Sequence, residues 1–184
     1  MTEALQNPDT DVDARLLERF RAGDERAATE LVERHAQALA RFAVSLGERD
    51  EVEELVQDTF VRAFGALDAF RGDSSLRTWL FTIERRLILD RRRSLARHHA
   101  RFDAGEVEAA TEHTALDSVV AEETEQRLQR ALERLSPMQR EVFVLRVAEG
   151  RSYKDIAEIA HTTEGAARVH YHNAMRALKE FVDA

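Results

Sequence analysis

The chain has no cysteine, two prolines and a single tryptophan among its 184 residues, and no apolar run in it approaches membrane-spanning length. Without cysteine there is no disulfide framework, no thiolate nucleophile and no cysteine-ligated zinc site. The lack of a long apolar run, and of a signal-peptide pattern at the start, leads us to expect a soluble cytoplasmic protein with no membrane insertion. The histidines do not supply a metal site instead. His98 and His99 are adjacent, His170 and His172 are spaced i, i+2, and His35 lies on an apolar face with no second ligand at metal spacing. No Ser/His/Asp set, carboxylate pair in a pocket context or phosphate-binding loop emerges, so an enzyme is the least favoured class and no cofactor is expected.

Positive charge is scarce on average, the formal net charge being −8. That argues against a nonspecific coat for nucleic acid. Its distribution is uneven, however: residues 84–101 hold seven arginines against two acids, and residues 102–126 hold eight acids and no basic residue. The basic cluster is local, and acidic segments flank it.

That cluster belongs to the stretch FRGDSSLRTWLFTIERRLILDRRR, residues 70–93. A loop rich in Gly, Asp and Ser leads to Ser74 or Ser75, either of which suits a helix N-cap. Leu76, Leu80, Ile83 and Leu87 then recur at i, i+4, i+7 and i+11, one buried face of a 3.6-residue period. Phe81 and Ile88 lie on another line, Trp79 sits beside the first, and Arg77, Arg85, Arg86, Arg91, Arg92 and Arg93 occupy positions between and beyond. Rings near guanidinium groups suit a single nucleic-acid strand, since rings stack on unpaired bases and arginine neutralises phosphate. The plain alternative is a globular helix with core aromatics and solvated arginines.

Elsewhere the chain reads as helices. Residues 1–10 are polar and are expected to fray. Val12, Leu16, Leu17 and Phe20 make a short amphipathic helix ending near Gly23, and Asp24 caps the next, whose apolar face runs from Ala28 through His35 to Leu46 before Gly47. His35 is expected to be packed and hydrogen-bonded. Asp50 and Glu53 resemble a capping box ahead of Val52, Leu55, Val56, Thr59, Phe60, Ala63, Phe64 and Leu67, which keep helical period throughout. The opposite face places Val61 among acids and an amide, as a docking surface does. Residues 98–118 lose all periodicity and read as a flexible linker. Helical order resumes near Val119, breaks at Ser136 and Pro137, and continues to Gly150.

Ser152 opens the last signature, a short helix with Tyr153, Ile156, Ala157 and Ala160, a turn at His161–Thr163, and a long helix buried through Ala167, Tyr171, Ala174, Leu178 and Phe181. Two helices joined by a short turn, the second presenting Arg168, Val169, His172, Asn173 and Arg176 outward, fit a helix-turn-helix. The expected fold is all-α: two small helical domains joined by a flexible acidic linker, the second containing the helix-turn-helix.

Three motifs in this order, EELVQDTFVRAF at 53–64, the 70–93 stretch, and LERLSPMQREVFVLRVAEGRSYKDIAEIA at 132–160, resemble the extracytoplasmic-function (ECF) group of bacterial RNA polymerase sigma factors. The resemblance runs from Ala14 to Val182, apart from the linker. It implies a region-two domain over 1–97, a linker over 98–118 and a region-four domain over 119–184. It further implies promoter recognition with core RNA polymerase, through its largest and second-largest subunits, with promoter DNA and an anti-sigma factor as partners. Carried over by position, the polymerase-binding surface is Glu54, Leu55, Gln57, Asp58 and Val61. The pocket for a flipped minus-ten base is Phe70, Arg71, Gly72, Asp73 and Ser74, and Trp79, Arg85 and Arg86 hold the separated strand. Minus-thirty-five contacts fall to Thr163, Glu164, Arg168, Val169, His172, Asn173 and Arg176.

This chain departs from the family pattern at Arg86, where Asn is frequent, and at His161, where Gly is usual. Its recognition helix reads GAARVHYHNA, with His170 and Asn173 at positions that are commonly basic. Two rival readings are a helix-turn-helix transcriptional regulator and an adaptor without sigma activity. The repressor leaves the regular helix at 50–67 without a purpose, and the adaptor leaves the arginine cluster unexplained.

Overall fold

The computed structural model describes residues 8–102 and 130–182, and every regular element among them is helical. α1 (Pro8–Arg21) begins within the stretch expected to fray, with proline at the first helical position, where its missing N–H costs nothing. α2 (Glu25–Ser45) is capped by Asp24, whose carboxylate accepts from the Arg26 N–H at 3.0 Å. Beyond it Gly47 takes φ +95°, the left-handed position that closes the helix.

α3 (Val52–Gly65) does not start with the expected capping box. Glu51 stands at the N-cap in a left-handed conformation (φ 58°) and no side chain caps the helix. The Glu51 carboxylate pairs with Arg91. After a short 3-10 turn at Leu67–Ala69, α4 (Leu76–Phe102) opens beneath Ser75, whose hydroxyl accepts from the Thr78 N–H at 3.1 Å.

α4 also runs past the boundary expected at His98. The Leu-Ala-Arg composition of residues 95–97 favours helix, and nothing between Arg93 and Phe102 breaks it. The rest of the expected linker and the helix start near Val119 lie outside the described residues. Helix is seen again at residues 130–133. α5 (Pro137–Val147) and α6 (Tyr153–Ala160) both carry complete capping boxes, Ser136 with Gln139 and Ser152 with Asp155. α7 (Glu164–Val182) is the last helix.

One apolar cluster runs through both halves. Leu31, Leu39 and Phe42 of α2, Phe60 of α3 and Leu80 and Phe81 of α4 join Val142, Leu145, Ile156, Ile159 and Ala167 of the C-terminal unit. Phe42 and Phe81 meet edge to face, centroids 5.0 Å apart. A smaller cluster of Ala43, Leu55, Leu87 and Ile88 lies beside it. The two units share this buried apolar surface. His35 is buried as expected, with Nε2 3.1 Å from Asp13 Oδ2 and Nδ1 accepting from Arg77 Nε at 3.3 Å.

Candidate nucleic-acid interface

The outer face of α3 presents Glu54, Gln57, Asp58 and Val61 to solvent, and Val61 is 69% exposed. Leu55 does not belong with them. At 3% exposure it packs beside Ala43, Leu87 and Ile88. Its periodicity already placed it on the core line, and α4 covers that line. The exposed face of α3 therefore carries the polar residues and Val61.

The loop before α4 turns at Gly72 (φ +77°), a conformation that a side chain would strain. Arg71 and Asp73 are exposed, while Phe70 is half-buried against Trp79, ring centroids 4.9 Å apart. Phe81, a ring near the arginines by spacing alone, and Ile88 on the same line have no exposed surface and are core. The rings left at the surface of this region are Trp79 and Phe70, both half-buried.

The arginines are similarly thinned. Arg85 donates from Nε to Glu141 Oε1 at 2.5 Å, and the two side chains are 12% and 6% exposed. Arg91 pairs with Glu51, Arg92 donates to Glu48 at 2.9 Å, and Arg93 meets Asp90 at 2.5 Å. Arg86 is exposed. Counting charges along the chain overstates the positive potential of α4, because nearby carboxylates take up much of it.

Acidic residues of the C-terminal unit reach the same face. Ser74 donates to Glu158 at 2.9 Å, Thr78 donates to Asp155 at 3.2 Å, and Arg41 of α2 donates to Glu149 at 3.0 Å. Ser74 and Arg85, both assigned to minus-ten DNA by the resemblance, are thus engaged within the chain. Reading the sequence missed Glu84, which is fully buried with neither carboxylate oxygen hydrogen-bonded among the described residues. Burial, with Glu149 adding to it, pushes its carboxyl up to about 9. A signal was present: Leu80, Glu84 and Ile88 share one helical line at i, i+4, i+8.

In the C-terminal unit, α6 and α7 are joined through His161 in the left-handed region (φ 51°) and through Thr163, whose hydroxyl accepts from the Ala166 N–H at 3.1 Å. Ala167 and Ala174 face inward, and Glu164, Arg168, Val169, His172 and Arg176 face out, with Asn173 half-buried. Arg168 is braced. Its guanidinium lies 4.7 Å from the Tyr153 ring centroid and 3.3 Å from Glu164, and Arg146 lies 4.8 Å from the same ring.

Family models for Sigma-70 region 2 and Sigma-70 region 4 match residues 31–98 and 125–178. The chain is 37% identical over 164 residues to the RNA polymerase sigma factor NccH of Alcaligenes xylosoxydans xylosoxydans, covering 86% of this chain and 88% of that protein. It belongs to the ECF sigma factors. The ECF RNA polymerase sigma-E factor of Escherichia coli K12 is 32% identical over 175 residues, covering 89% of this chain and 90% of its own. Among solved structures, the sigma factor RpoE of Bartonella quintana, in complex with the anti-sigma factor NepR, aligns with TM-score 0.70 at 32% identity over 85% of this chain and 96% of its own. CnrH in complex with the cytosolic domain of CnrY aligns with TM-score 0.68 at 31% identity, covering 94% and 97%. The protein is thus a sigma factor acting in promoter recognition. Among its described residues no helix is long and apolar enough to cross a membrane, and no group of three His, Asp or Glu side chains could hold a metal ion.

Proposed function

We propose that this ECF sigma factor works in the cytoplasm by docking on core polymerase through Glu54, Gln57, Asp58 and Val61 of α3. In this reading Phe70, Arg71, Gly72, Asp73 and Ser74 receive a flipped minus-ten base, and Trp79, Arg85 and Arg86 hold the separated strand. Thr163, Glu164, Arg168, Val169, His172, Asn173 and Arg176 address the minus-thirty-five element. The N-terminal unit melts and the C-terminal unit anchors, and neither performs bond chemistry. Flipping one base costs a few kcal/mol, an amount that pocket contacts and stacking offset.

The observation that carries this reading is the outward face of α7, where a helix-turn-helix holds a braced arginine beside an apolar side chain, Val169, that is 58% exposed. Arginine suits a guanine edge and Val169 a thymine methyl group. An anti-sigma partner is supported by the RpoE–NepR structure, whose sigma chain resembles this one. Reconstituting the chain with bacterial core polymerase and sequencing transcript 5′ ends should give starts that share two spaced upstream elements. Initiation no more selective than that of core polymerase alone would overturn the proposal.

A further inference from the structure

The seam between the two units contains one carboxylate too many. Glu141 of α5 pairs with Arg85 of α4, and Glu149, in the turn after α5, pairs with Arg41 of α2. Glu84 of α4 is buried, near enough to Glu149 to feel its charge, with no cation of its own and no hydrogen-bond donor among the described residues. The other charged groups brought to α4 are already engaged. From α2, His35 contacts Asp13 and Arg77; from α3's start, Glu51 holds Arg91; from α6, Asp155 and Glu158 accept from Thr78 and Ser74. A charged Glu84 would leave a buried, uncompensated anion near the Glu149 carboxylate, an arrangement that burial and like charge both oppose. A proton on Glu84 removes that charge and leaves Glu141 and Glu149 each with its own guanidinium.

We infer that docking of the C-terminal unit onto α2 and α4 is proton-coupled through Glu84, so that the closed arrangement carries a proton there which the opened chain releases. Closure engages Arg85 and Ser74, so the same proton governs access to the face of α4 proposed for DNA. Glu84 titrates at about 9 when closed, against an ordinary value of 4.5. The sign follows: between those values the closed form holds a proton that the open form lacks, so rising pH favours opening, by up to about tenfold in the equilibrium per pH unit. Above the closed-state value the dependence levels off. Masking of DNA-contact residues rests on the minus-ten reading; the proton coupling does not.

The absence of native cysteine makes the test direct. Ala66→Cys and Met175→Cys, both at exposed positions, accept a dye pair on the full chain, and energy transfer is followed from about pH 5 to pH 9 with helicity monitored in parallel. The expected result is a loss of the closed population as pH rises in the otherwise native chain. Glu84→Gln, which keeps the shape and cannot ionise, should stay closed throughout. Identical pH profiles for the two, or closure that strengthens with pH, would overturn the inference. Carbon-13 titration of the Glu84 carboxyl in the native chain is an independent check, and a midpoint at its ordinary value would also overturn it. Binding of a fluorescent single-stranded oligonucleotide separates the two ideas. If closure responds to pH as expected while DNA binding does not follow it, the minus-ten assignment fails and the proton coupling stands.

Discussion

Arg85 and Glu141 form a nearly water-free ion pair that joins α4 to α5, the N-terminal unit to the C-terminal one. Burial raises the Glu141 carboxyl above its usual range even though Arg85 works against this, so desolvation is the larger influence. A pair of this kind is costly to break from one side and cheap to replace as a whole. Arg85→Ala should therefore lose about 3–5 kcal/mol in urea unfolding, while Arg85→Met with Glu141→Leu should recover most of it. A single-mutant loss below about 1 kcal/mol, the range of a surface pair, would contradict the burial of this contact.

The two sides of α3 should separate cleanly by mutation. Gln57→Ala, Asp58→Ala and Val61→Ala together are expected to abolish core-polymerase pull-down while leaving the thermal transition within a few degrees of the native chain. Leu55→Ala should instead destabilise by roughly 2–5 kcal/mol, because it opens a cavity against Leu87 and Ile88. Retained polymerase binding in the triple variant would remove α3 as the docking surface.

For Arg168 the alternatives are base reading and phosphate gripping. Base reading predicts that Arg168→Ala costs roughly 1–3 kcal/mol on the matched promoter and relaxes one position of the minus-thirty-five element. Tyr153→Leu, which removes the ring beneath the guanidinium, should relax the same position more weakly, and Tyr153→Phe should not. A randomised minus-thirty-five library transcribed at two salt concentrations decides between them. Uniform weakening, with a salt slope smaller by about one, would identify a phosphate contact instead.

His161 occupies a left-handed conformation that costs a residue with a Cβ about 1 kcal/mol. His161→Gly should raise stability by roughly 0.5–1 kcal/mol, since glycine's greater unfolded-state freedom offsets part of the relief. Chemical denaturation of the two chains measures it, and a net loss would mean that the imidazole makes a compensating contact.

The sequence by itself determined the elements whose signals are satisfied within a few residues. Asp24, Ser136 with Pro137, Ser152 and Gly47 each meet their backbone partners inside one turn, and each stands where its type predicted. The core line of α3 was legible for the same reason, since a 3.6-residue period states which side chains share a face; on α7 only Ala167 and Ala174 of the expected line are buried, while Tyr171, Leu178 and Phe181 are half-buried. Period does not state what covers that face. Only the tertiary structure decided that Phe81 is core, and that Glu51 stands at the N-cap of α3 and pairs with Arg91 while the capping box expected of Asp50 and Glu53 does not form. Charge was the least legible property. Arg85 reads along the chain as part of a basic cluster, yet its partner is 56 residues away, and Glu84 reads as an ordinary helix carboxylate, yet it is fully buried and feels the charge of Glu149. Coulomb energies and desolvation depend on distance and burial in three dimensions, quantities that neighbours in sequence do not set.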